Sequence, residues 1–121
     1  GRRKAEVEEA KQGVAQAQAA RDTVELQVRA EVAGAQARVS AAGQNIETAT
    51  AQVGSAEEAY TVAQARYAAG KGIIVELLDA RQALTEAQQN LVAAQAQYRA
   101  TLAALYRAIG WDVAPDTAVK Q

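Results

Sequence analysis

Large apolar residues return every seven positions along much of this chain. Val32, Val39, Ile46, Val53, Tyr60 and Tyr67 form one series, with Ala35, Ala42, Ala49, Ala56, Ala63 and Gly70 three positions after each. A second series, Leu77, Leu84, Leu91, Tyr98 and Leu105, is accompanied by Ala80, Ala87, Ala94, Thr101 and Ala108. A large/small seam with a mean spacing of about 3.5 residues is the signature of helices that pack as a coiled coil. Gly70-Lys71-Gly72 separates the two series, and the β-branched Ile73-Ile74-Val75 follows. Glycine supplies the positive φ that a tight reversal requires.

The two seams fold onto each other about that point. Pairing Tyr67 with Leu77 also pairs Tyr60 with Leu84, Val53 with Leu91, Ile46 with Tyr98, and Val39 with Leu105. One reversal satisfies every pair. The pattern therefore predicts an all-α fold: a long antiparallel two-helix coiled-coil hairpin with unequal arms, treated as a single domain over residues 1–121. Its parts are a helix over 2–69, a tip turn at 70–73, a helix over 74–109 and a C-terminal connector over 110–121. Gly110 is a natural helix terminator, and the only proline, Pro115, lies beyond it. Tyr106 and Trp111 are expected to pack near the far end of the second arm.

Two departures from the pattern are informative. Upstream, the apolar stripe reads Val7, Ala10, Val14, Ala17, Arg21, Val24, Val28. The steps from Val24 to Val28 to Val32 are four and four, a stutter that locally unwinds a left-handed supercoil. The arms also differ in length, roughly 100 Å against roughly 54 Å at 1.5 Å per residue. About the first thirty residues thus lack a partner within the chain, and their stripe calls for another helix. Such a chain is expected to be a piece of something larger or to self-associate.

Composition sharpens this picture. Half of the 121 residues are hydrophobic, but many are alanine, and Phe, Met and Cys are absent. Alanine buries little area, so thin helix-on-helix packing is expected rather than a thick core. The formal net charge is −1 with both signs interspersed, which leaves no basic stripe for nucleic acid. No His or Cys is present, so the commonest general base, thiolate ligands and disulfides are excluded. No apolar run approaches the ~20 residues of a spanning helix, and no signal peptide opens the sequence.

Little here supports catalysis. Gly70-Lys71-Gly72 lacks the spacing of a phosphate loop and follows no strand. Glu76 and Asp79, three apart just past the turn, suit the positive end of a helix dipole. A second reading has them lining an opening when several copies assemble. Arg66, Lys71 and Arg81 are charges available for surface pairing with these acids. No enzyme and no cofactor is expected.

One stretch is more specific than the heptads. It runs Ala65-Arg66-Tyr67-Ala68-Ala69-Gly70, then Val75-Glu76-Leu77-Leu78-Asp79-Ala80-Arg81, then Leu84, Ala87 and Leu91, and closes on Ile109-Gly110. This resembles the outer-membrane efflux protein (TolC) family over nearly the whole chain. The resemblance implies a fragment of an α-helical barrel, the periplasmic hairpin of the second of two repeats. Intact members are homotrimers whose barrel strands, absent here, sit in the cell outer membrane. It also implies a trimeric channel for drug efflux or type I secretion, working with a periplasmic adaptor protein and an inner-membrane pump. The tip residues Ala69, Gly70 and Lys71 would contact the adaptor, and Tyr67, Glu76 and Asp79 would take part in the pore and its gate. The best-known member carries an arginine in that gate where this chain has Gly72, so the resemblance leaves the gate held differently, by Lys71 or Arg66, or held more loosely. Two other readings are the hairpin of an adaptor protein and a structural coiled-coil spacer. The first calls for a different tip motif and flanking lipoyl-like sequence; the second has no need of the Arg66–Asp79 signature.

Overall fold

The structure is a computed structural model that describes residues 1–110. The connector over 111–121, including Trp111, lies outside the described residues. Two helices account for nearly all of the rest: α1, Arg2–Ala68, and α2, Ile74–Ala108. They form an all-α antiparallel hairpin of unequal arms, 67 residues against 35. Each arm ends one residue earlier than the spacing predicts, because the last residue before each glycine belongs to the cap.

By contact, the chain divides into a first unit, Gly1–Gly34, and a second that begins at Ala35. The boundary falls directly after the stutter at Val24, Val28 and Val32. In the first unit nearly every residue is exposed, and Val7, Val14, Val24, Leu26 and Val28 all show large apolar surfaces to solvent. Ala, Gln, Glu and Arg give this stretch its helix propensity.

The second unit carries the seam. The buried positions are the small ones: Ala35, Ala42, Ala49, Ala87 and Thr101. Val39, Ile46, Val53 and Tyr60 on α1 are partly buried, as are Leu77, Leu84, Leu91, Tyr98 and Leu105 on α2. A two-helix hairpin has only one line of closest approach, and residues on it are shielded by both backbones. Alanine fits that line. The larger side chains stand to its flanks and keep one face open. Tyr98 shows the packing directly, since a Cβ added at Gly43 would lie 3.9 Å from its Cε2. The Thr101 hydroxyl, in an otherwise apolar line, donates to the Tyr98 carbonyl at 2.8 Å, so its burial leaves no orphaned polar atom. Tyr106 is partly buried near the end of α2.

Candidate functional site at the hairpin tip

The tip is built from the end of α1, the turn and the start of α2. α1 closes on a Schellman motif. Gly70 adopts φ +72°, its N–H donates to the Tyr67 carbonyl at 3.1 Å, and the Lys71 N–H donates to the Arg66 carbonyl at 2.8 Å. The Gly72 N–H reaches the same Arg66 carbonyl at 3.1 Å. The Arg66 and Tyr67 carbonyls of α1 are thus satisfied by the turn itself, and the direction of the chain is fixed within four residues. α2 also closes on a glycine of positive φ, Gly110 at φ +89°, whose N–H donates to the Arg107 carbonyl at 3.1 Å.

α2 begins less firmly. Its N-cap, Ile73, is extended and offers no side-chain hydrogen bond to the first turn. Glu76, in that first turn, brings a negative charge to the positive end of the helix. Around it the surface is apolar: Ile73, Ile74, Val75 and Leu78 are exposed, as is Val62 on α1.

Arg66 ties the parts together. Its Nη2 donates to the Lys71 carbonyl at 3.3 Å, and its Nε lies 3.8 Å from Glu76 Oε2. Gly72 sits inside this clasp. A Cβ there would come 3.1 Å from Glu76 Oε2 and 3.3 Å from Arg66 Cβ, closer than the neighbours tolerate without moving. Glycine at this position leaves room for the clasp. The basic group that reaches the acid comes from Arg66, on the other side of the turn. Arg66 and Glu76 also bound one end of a shallow groove lined by Ala59, Val62 and Ala63.

The remaining candidates fall around this clasp. Ala69, Gly70 and Lys71 are exposed at the apex. Tyr67 is exposed, and Asp79 is exposed one turn beyond Glu76. Among the described residues Asp79 makes no ion pair or side-chain hydrogen bond. The structure thus brings Arg66, Gly72 and Glu76 into contact and leaves Tyr67 and Asp79 outside it. Among the described residues Arg66 is the basic side chain that the turn sets beside Glu76, and the spacing of the two in sequence does not reveal it.

Among the described residues no group of three His, Cys, Asp or Glu side chains could hold a metal ion. No described helix is long and apolar enough to cross a membrane. Neither the curated proteins nor the solved structures contain a significant match to the chain. The family model for the outer membrane efflux proteins matches residues 1–111, which takes in both helices, the clasp at the tip and the closing glycine. The chain belongs to the outer membrane efflux protein family.

Proposed function

We propose that this chain is a periplasmic segment of the tunnel of a trimeric outer-membrane channel for drug efflux or type I secretion. Its tip is where an adaptor docks and where the channel is gated. The family is one of outer-membrane transport channels rather than enzymes. One observation carries the finer reading. The matched segment is a helical hairpin none of whose described helices is apolar enough to span a bilayer. In outer membranes the spanning structures are closed β-barrels, so a polar helical segment of such a protein belongs outside the lipid. The partly buried seam supports the same reading. Leu84, Leu91 and Tyr98 each keep a face open that neighbouring helices of a barrel would cover.

In this reading Ala69, Gly70 and Lys71 present the apex to the adaptor, which in turn engages the inner-membrane pump. Threefold repetition surrounds a narrow mouth with copies of Glu76 and Asp79, and Tyr67 packs beside it. Clustered carboxylates repel one another and concentrate cations at the entrance. Opening shifts one packed hairpin against its neighbours, an element with two arrangements.

The test uses the intact channel that carries this chain. Replacing Glu76 and Asp79 together by Gln and Asn is expected to lower cation selectivity in planar bilayers. A photo-crosslinker at Lys71 is expected to capture the adaptor. Unchanged selectivity removes the pore assignment, and an absent adduct removes the docking assignment.

A further inference from the structure

The two acids at the tip stand in different company. Glu76 Oε2 faces Arg66 Nε at 3.8 Å. The same guanidinium is held a second time by the Lys71 carbonyl, 3.3 Å from Nη2. Gly72 leaves the space that this approach needs, since a Cβ there would lie 3.1 Å from the Glu76 carboxylate. Asp79 has no such partner among the described residues. Arg81, two positions further along α2, points to a different helix face, because residues two apart do not face each other. Lys71 is exposed at the apex and takes part in the clasp through its carbonyl rather than its ammonium group.

We propose that Arg66 sets the charge of the tip: it combines with Glu76 into a locally neutral unit and leaves Asp79 as the net negative group that a passing ion meets. The proposal rests on the reading of the tip as the mouth of a channel. It does not require a strong bond. Both side chains of the pair are about half exposed, at 52% and 53%, and such pairs contribute little to stability. Cancellation needs only proximity. Opposite charges a few ångströms apart present a short dipole, whose field fades much faster with distance than that of the lone Asp79 carboxylate. The second contact, to the Lys71 carbonyl, keeps the guanidinium at the acid rather than in free solution.

The signature is a silent double substitution. Reversal potentials are measured in a KCl gradient on the intact channel and four variants. Asp79→Asn is expected to shift the potential away from the cation limit, and Glu76→Gln likewise, because it leaves Arg66 uncompensated. Arg66→Gln is expected to shift it toward the cation limit by exposing Glu76. Arg66→Gln combined with Glu76→Gln removes both members of the neutral unit and is expected to restore the wild-type potential. If Arg66→Gln leaves the potential unmoved and the double variant matches Glu76→Gln, the proposal is overturned while the channel-mouth reading stands. If neither Asp79→Asn nor Glu76→Gln moves the potential, the channel-mouth reading itself fails. Circular dichroism of the 121-residue chain carrying each substitution checks that the helices are retained.

Discussion

The first unit, Gly1–Gly34, and the hairpin that begins at Ala35 use the same residues to different ends. Both carry apolar positions at heptad spacing, and both are helical. In the first, Val7, Val14 and Val24 are more than half exposed. In the second, the seam alanines Ala35, Ala42, Ala49 and Ala87 are buried, and the other seam alanines and the larger residues are partly so. The amphipathic pattern is therefore a request for a partner, and only the hairpin contains its own. Seam chemistry in the first unit contributes helix propensity; in the hairpin it contributes packing.

The contrast is open to attack by matched substitutions, one in each unit. The largest expected effect is from overpacking. Ala42→Leu forces a side chain into the line of closest approach and is expected to cost about 1–3 kcal/mol. Ala17→Leu, on the exposed stripe, is expected to change stability by about 0.5 kcal/mol or less. Urea unfolding followed by circular dichroism gives both values, and native-state hydrogen exchange shows which unit is affected. Equal effects at the two sites would mean that the first unit is packed in solution.

Glycine gives the next contrast. Gly70→Ala places a side chain at φ +72° and is expected to destabilise the hairpin by about 1–2 kcal/mol. Gly13 is interior to α1, with nothing within 4 Å of an added Cβ. Gly13→Ala is therefore expected to raise helicity and to stabilise by about 0.8–1.0 kcal/mol. The same chemical change thus acts with opposite sign at a turn and within a helix. A destabilising Gly13→Ala would show that the first unit needs that glycine for close approach.

Threonine gives the smallest contrast. Thr23 and Thr101 both bond back to a carbonyl of their own helix, at 2.9 Å and 2.8 Å. Thr23→Ala gains helix propensity at an exposed site and is expected to stabilise by about 0.5 kcal/mol. Thr101→Ala gains the same propensity but gives up a buried methyl, worth about 0.8 kcal/mol, so the two nearly cancel. Thermal melts of the pair should therefore move by different amounts, with Thr101→Ala near zero.

The sequence made the hairpin legible for a specific reason. The series through Val39, Ile46 and Val53 and the series through Leu77, Leu84 and Leu91 each persist over several turns, and one reversal point aligns them. Gly70 and Gly110 mark the helix ends because their backbone conformations exclude most other residues. The clasp was only partly legible. Arg66 and Glu76 are ten positions apart, beyond the spacings at which helical neighbours meet, so their approach depends on the path of the turn. The room left at Gly72 is a three-dimensional fact that no spacing rule states. The identity of the buried line was also partly hidden. Large residues dominate a periodicity search, yet in a hairpin of two helices the alanines beside them occupy the closed centre.

The two glycines of the turn carry a consequence for how the molecule stores information. Along the arms each seam position asks only for a size class and a helix former, so many spellings serve equally well. At the tip, one position demands φ +72°, and another, two residues on, would set a Cβ 3.1 Å from the Glu76 carboxylate, which must then shift. The first demand strongly favours glycine, and the second favours it as long as Glu76 keeps its place beside Arg66. The arms are thus a redundant text and the tip a short password, and a random change is far more often readable in the former than in the latter.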